Sequence, residues 1–351
     1  MTTTTPFAKR LLRWYNVHGR KNLPWQGTRN PYKIWVSEIM LQQTQVATVI
    51  PYYEKFILAL PCVHDLAAAP VDDVLHLWTG LGYYARGRNL HVAAKLIVTE
   101  HQGHFPDTLK AWYALPGVGR STAGAILAIA HGQRQPILDG NVKRILCRYF
   151  AIEGWPGDKA AESQLWRHAE ALTPHLRVQD YTQAIMDLGA IVCRRRQPLC
   201  NQCPQRSHCA ALLSDSVHVY PWSKPHKKIP IRSVAMLLLF DSKQQVLLAR
   251  RPPTGLWGGL WSLPECDMNE DIDRWCRSRL GFKVEPGPPW PTFRHSFSHF
   301  HLDITPIPTH VRNTTAVMER HETVWYNVNR PDRRGLPAPV KRILEQLRVT
   351  T

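Results

Sequence analysis

The chain has 351 residues, 44% apolar and 20% charged, enough for one large or two ordinary globular domains. Its longest apolar stretches, such as 123–130 and 234–240, are far too short for a membrane-spanning helix. The net charge of +17 (44 Lys+Arg against 27 Asp+Glu) points to a polyanionic partner, and it divides as +10 through residue 212 and +7 after it, so it is no single basic tail.

Residues 1–37 carry no Asp or Glu, and their Thr-rich, basic start has some likeness to an organelle transit peptide. The preferred reading is a folded amphipathic helix with Phe7, Leu11, Trp14 and Tyr15 on one face. No secretory signal is present, so the expectation is a cytoplasmic protein whose eight cysteines form no disulfide framework. Helical spacing recurs around 34–50, 71–78, 89–98, 121–130, 142–150, 162–172 and 181–192, with Pro or Gly breaks at 51, 61, 70, 116–119, 132 and 154–157.

Glu38 stands in the apolar stretch IWVSEIMLQQTQV. Desolvated there, its carboxyl should have a raised pKa and suit a general acid; on the solvated helix face it would be an ordinary surface Glu. The segment Leu115-Pro116-Gly117-Val118-Gly119-Arg120-Ser121 lies between two helical patterns. Its glycines permit close backbone approach, and the following helix N-terminus offers free N–H groups to a phosphate. An ordinary helix–turn–helix connection would look the same. Asp139 opens DGNVKRIL, where Asp is a favoured N-cap. An acid paired with an ionised carboxylate is also what glycosidic cleavage requires, although 101 residues separate the two.

Cys193, Cys200, Cys203 and Cys209 fall within 17 residues as C-x6-C-x2-C-x5-C. Four thiolates so close fit one metal centre. A [4Fe–4S] cluster stands modestly ahead of structural zinc, because only one C-x2-C knuckle is present. Arg194, Arg195 and Arg196 in the same loop could grip phosphate. Beyond residue 212, YPWSKPHKKIPIRS reads as an extended linker, 213–231. Strand signals follow at 234–240, 246–250, 297–307 and 324–328, with helices near 270–280 and 338–348.

LPWQ at 23–26, SEIMLQQTQV at 37–46, WTGLGYYARGRNL at 78–90, LPGVGRSTAGA at 115–125, LDGNVKR at 138–144, the four-cysteine loop, GLWGGLW at 255–261 and FSHFHLD at 297–303 occur in order. Together they make the chain similar to the MutY-type adenine DNA glycosylases, helix-hairpin-helix enzymes with an iron–sulfur cluster. The resemblance implies a mainly α, two-lobed helix-hairpin-helix glycosylase domain over 1–212. Within it a six-helix barrel spans about 26–135, and the N-terminal helix joins 136–212, with the cluster loop at 193–209. A smaller α+β Nudix-like domain over 232–351 would follow.

The same resemblance implies site residues. Glu38 matches the acid that protonates adenine, and Asp139 the carboxylate that stabilises the cationic sugar. Trp25 and Gln183 match the adenine pocket. Gln42 and Tyr83 match residues that fill the stack after flipping. Gly117, Gly119, Ser121, Asn141 and Lys143 count with the DNA-contacting residues, and the four cysteines hold a [4Fe–4S] cluster. Related enzymes that also cut the strand place a lysine where Ser121 stands, so a hydrolytic, monofunctional enzyme is expected. Phe297, Ser298 and His299 match the loop that recognises 8-oxoguanine. In the Nudix-like part Gly259 and Glu265 keep G-x5-E, but DRWCRSRLG at 273–281 puts Arg274, Arg277 and Ser278 where Mg²⁺ ligands belong, so no Mg²⁺ site is expected.

The expectation is a monomeric DNA glycosylase acting on double-stranded DNA with A opposite 8-oxoguanine or G, with no membrane partner. The alternatives are a glycosylase/lyase for oxidised pyrimidines and a non-catalytic DNA-binding repair factor.

Overall fold

The computed structural model describes residues 4–225, 229–314 and 322–350. They form two compact units, 1–68 with 89–226, and 69–88 with 227–351.

The first unit is helical. Its helices are α1 Pro6–His18, α2 Pro31–Leu41, α3 Val46–Ala59 and α4 Val63–Ala68; α5 Val71–Leu77 belongs to the second unit, and α6 Ala85–Glu100 crosses from one to the other. The series continues with α7 Leu109–Ala114, α8 Arg120–His131, α9 Gly140–Phe150, α10 Lys159–Leu172, α11 Val178–Asp187 and α12 Ala210–Leu213. Thr5 caps α1, which has Pro6 in its first turn and buries Phe7, Leu11, Trp14 and Tyr15. Asn30 caps α2, with Pro31 in its first turn, and this helix is apolar nearly all round because it runs through the core against α3 and α8.

Two expectations fail locally. The stretch 34–50 is two helices, because Gln43 takes φ +57° and ends α2. Pro51 does not break the chain but lies inside α3. It stands in the second turn, where the helix forgoes only the bond that one N–H would make. At the far end α11 continues through a π-helical turn, Leu188–Val192, and delivers Cys193.

The expected linker makes a defined contact near its start. Arg148 Nε donates to the Tyr220 carbonyl at 2.9 Å, so its first residues lie on the first unit. Residues 226–228 of that linker lie outside the described residues.

In the second unit a mixed sheet is built from β1 Ile231–Phe240, β2 Val246–Arg250, β3 Trp261–Ser262, β4 Glu265–Cys266, β5 Phe282–Pro286, β6 Phe293–Ser296, β7 His301–Thr314 and β8 Thr323–Tyr326, with α13 Ile272–Leu280 and α14 Ala338–Thr350. The order β3-β2-β1-β7-β5 puts β1 at the centre, parallel to β7 and antiparallel to β2. Its run of buried residues, Ala235–Leu239, is what a strand covered on both faces requires. The strand expected from 297 begins only at His301. Phe297 N–H donates to the Phe300 carbonyl at 2.9 Å, so 297–300 is the turn between β6 and β7. No described helix is long and apolar enough to cross a membrane.

Candidate active site

In the first unit a cleft with about 400 Å³ of free space opens where the end of α2 meets the starts of α8 and α9 and the end of α11. That is within the range of small-ligand sites. Glu38 and Asp139 both line it, so the fold brings together two acids that are remote in the chain.

Glu38 faces the cleft from an otherwise buried helix. Its carboxyl is pushed up to about 8, first by desolvation and then by the nearby charge of Asp139. Asp139 caps α9: Oδ1 accepts the Val142 N–H at 2.8 Å and Oδ2 accepts from Asn141 Nδ2 at 3.2 Å. Burial raises its pKa, opposed by those bonds and by the Arg144 charge. The hydrogen bonds favour the anion at Asp139, whereas burial favours the neutral acid at Glu38. Both acids are raised by burial, but only Asp139 has hydrogen bonds and a cation working against that shift.

Ser121 and Asn141 both line the cleft, and both support Asp139. The Ser121 hydroxyl accepts the Leu138 N–H at 2.9 Å and fixes the residue before Asp139. Asn141 is held by Arg144, whose Nη2 donates to its Oδ1 at 2.8 Å, and Arg144 Nε donates to the Cys193 carbonyl at 2.7 Å. A continuous chain of bonds thus runs from Asp139 to the backbone of Cys193.

Trp25 is buried with its ring edge-on to Tyr53 at 5.3 Å, and Gln183 approaches Gln26 at 3.4 Å; both line the cleft. Gln42, at the end of α2, donates to the Gly117 carbonyl at 3.3 Å and to Thr122 Oγ1 at 3.2 Å. This ties the cleft rim to the hairpin. Gly117 takes φ +79°, and a Cβ there would come within 2.9 Å of Asn89 Cβ. Gly119 is the N-cap of α8 and offers no side-chain cap, so the first N–H groups of that helix remain available to an anion.

In the first unit Lys143 is not part of the cleft lining. It is paired with Glu162 at 2.6 Å. Tyr83 belongs to the second unit, exposed in a turn with φ +49°. In that unit Phe297 is half-buried, stacked on Phe300 at 4.6 Å and packed against Trp257 at 5.5 Å. Ser298 and His299 are exposed beside it.

The four cysteines line one apolar cavity with Arg148, whose Nη1 approaches Cys193 Sγ at 3.4 Å. Burial and one another's charges raise the Cys200, Cys203 and Cys209 thiols. They are not drawn into a closed ligand set: among the described residues no group of three or more His, Cys, Asp or Glu is arranged to hold a metal ion. The donor set itself, four thiols around one pocket, fits a thiolate-bound metal centre.

Sequence reasoning did not find Arg20 and Asp187. Asp187 is buried in the cleft wall and accepts three bonds from Arg20, from its backbone N–H and Nε at 2.8 Å and from Nη2 at 2.5 Å. A lone Arg and a helical Asp 167 positions apart carry no local signal of that pairing.

The model for the HhH-GPD superfamily base excision DNA repair protein matches residues 36–171, and the NUDIX domain model matches 235–346. An adenine DNA glycosylase of Buchnera aphidicola subsp. Baizongia pistaciae is 39% identical over 346 residues, covering 99% of this chain and 98% of the relative. The human adenine DNA glycosylase is 39% identical over 325 residues, covering 77% of this chain and 59% of the relative. A solved thermostable thymine-DNA glycosylase, 30% identical, superposes with a TM-score of 0.54 over 59% of this chain and 95% of its own.

Proposed function

The chain belongs to the adenine DNA glycosylases, enzymes of base excision repair that hydrolyse an N-glycosyl bond, and from that premise we propose how its residues divide the work. A flipped adenine enters the cleft beside Trp25 and Gln183. Glu38 gives its proton to the purine, the bond between base and sugar breaks, and free adenine leaves. The Asp139 carboxylate stabilises the cationic sugar. Water adds its oxygen to the anomeric carbon, and its proton returns to Glu38. No amine nucleophile stands at Ser121, so the strand is left intact. The single observation that carries this reading is the meeting of the two acids in one cleft, with the charge of Asp139 helping to keep Glu38 protonated.

The substrate is double-stranded DNA with adenine opposite 8-oxoguanine or, less efficiently, G. Gly117, Gly119 and the α8 N-terminus grip phosphate, with Lys143 contributing positive charge nearby. Gln42 and Tyr83 fill the gap left by the flipped base. Ser298 and His299 hydrogen-bond the altered base, with Phe297 beside them. Cys193, Cys200, Cys203 and Cys209 hold a [4Fe–4S] cluster, which fixes the basic loop 194–196 on the DNA side; zinc is the competing occupant. The protein acts as a monomer at the nucleoid.

The test is a labelled duplex with A opposite 8-oxoguanine, G or C. The expected result is release of adenine with strand breakage only after alkali. Direct nicking would favour the glycosylase/lyase alternative. Binding without adenine release over many enzyme equivalents would favour a non-catalytic factor.

A further inference from the structure

Residues 69–88 lie within the helical region in chain order but pack with the second unit. Several contacts hold them there. Trp261 Nε1 donates to Asp72 Oδ1 at 3.2 Å, and the Arg250 guanidinium faces the same carboxylate at 3.6 Å. The Tyr84 hydroxyl donates to the Leu336 carbonyl at 2.9 Å. Gly335 approaches Leu75 so closely that a Cβ there would meet Leu75 Cβ at 2.6 Å. Arg88 Nη1 donates to the Gly258 carbonyl. The turn within the segment is braced from inside: Trp78 Nε1 and Arg86 Nη2 each donate to the Gly82 carbonyl at 3.1 Å. Tyr83 stands out from this braced turn, 51% exposed.

Trp257 immediately precedes Gly258. It is buried in the left-handed conformation, φ +52°. A non-glycine residue keeps that conformation only when its surroundings enforce it. Its ring packs on Phe297 at 5.5 Å and on His295 at 5.8 Å. Phe297 in turn stacks on Phe300 and closes the turn that displays Ser298 and His299. An unbroken series of contacts therefore runs from the turn of Tyr83, through Arg88, Gly258 and Trp257, to the loop Phe297–His299. Recognition geometry is set by the packing behind the contacting groups as much as by those groups themselves.

We propose that Arg88 is a positioning residue that holds the Tyr83 turn and the Phe297–His299 loop as one reading element, so that discrimination of the opposite base depends on a side chain in neither. This rests on the reading of Tyr83 and residues 297–299 given above. Arg88 acts by fixing the backbone under Trp257. Its loss loosens the reading loop without touching Glu38 or Asp139. The signature is a fall in the preference for 8-oxoguanine over G, where a phosphate-binding arginine would instead weaken both substrates alike.

The experiment measures single-turnover adenine release, opposite 8-oxoguanine and opposite G, with the full-length chain. The variants are Arg88→Leu, Arg88→Lys, His299→Ala and the double variant Arg88→Leu/His299→Ala. Arg88→Leu is expected to lower the preference roughly tenfold, with the rate opposite G falling far less than the rate opposite 8-oxoguanine, a loss typical of slight misplacement. Arg88→Lys restores part of it, and the double variant falls no further than the worse single one. Backbone amide exchange over 255–260 is expected to quicken in Arg88→Leu. Should Arg88→Leu not fold, Arg88→Lys carries the test through its intermediate preference. Equal loss on both substrates, an unchanged preference, or unchanged amide exchange overturns the proposal. An unchanged preference in His299→Ala overturns the underlying reading of the loop instead, a result separable from failure at Arg88 alone.

Discussion

Replacing Glu38 by Gln removes the proton and keeps the shape of the side chain. In the native chain desolvation and the Asp139 charge push this carboxyl from 4.5 to about 8. At pH 7 such a group is about 90% protonated, whereas one at the ordinary value is about 0.3% protonated. The cleft thus raises the population of the acid form roughly 300-fold, comparable to the whole effect usually traced to a general acid. Single-turnover release of adenine from a duplex with A opposite 8-oxoguanine should fall at least about 100-fold in Glu38→Gln, with duplex binding retained. The wild-type rate should decline above about pH 8 as Glu38 ionises. Stability supplies a second readout. Because the folded-state pKa is raised, ionisation costs the fold free energy, so wild type loses stability relative to Glu38→Gln as pH climbs from about 4.5 to about 8, and the gap is constant below that window. Thermal midpoints of the two proteins at pH 4.5, 7 and 9 measure it. Excision by Glu38→Gln at the wild-type rate, or a wild-type rate flat from pH 7 to 9.5, would refute the proton-donor role.

Cys200→Ser is expected to lose the brown visible absorbance and the iron of the purified protein; a colourless wild type containing stoichiometric zinc would contradict the cluster assignment. Asp187→Asn leaves the half-buried Arg20 facing a neutral amide in the cleft wall, and losing a charge-assisted bond there costs about 1.5–3 kcal/mol. Its thermal midpoint should therefore drop by several degrees, and a drop under one degree would show the pair to be structurally idle. Ser121→Ala strips the Leu138 N–H of its acceptor, a loss of about 1–3 kcal/mol. Adenine release should slow without any strand nicking, and full activity would show that this bond does not position Asp139.

The local signals that were legible are those written in short windows. Helical periodicity marked α1, α8 and α9, and β-branched and leucine runs marked β1 and β2. Glu38 was legible as a carboxylate in apolar company, but which way it faces depends on α8, α9 and α11, brought there by long-range packing. At Asp139 a cap and a cleft residue look alike in sequence because one side chain can be both: one oxygen caps α9 while the carboxylate lines the cleft. Arg144 carries no local signal of its bonds to the Gly189 and Cys193 carbonyls, which lie 45 and 49 positions later. The segment 69–88 reads as helical spacing at 71–78 running into WTGLGYYARGRNL, and nothing in it says that Asp72, Tyr84 and Arg88 bond to residues 170 or more positions later. Phe297 reads as strand because aromatic and polar residues alternate there, whereas its backbone bond to Phe300 closes a turn.

The proposal that Glu38 and Asp139 act on one nucleotide in one cleft can be put to single-turnover adenine release from wild type, Glu38→Gln, Asp139→Asn and the double variant, with duplex binding measured alongside. Residues working as a unit are strongly non-additive, so the double variant should be no slower than the slower single one. A double variant slowed by the product of the two separate losses would mean that the two carboxylates contribute independently, and the shared-site account would be wrong.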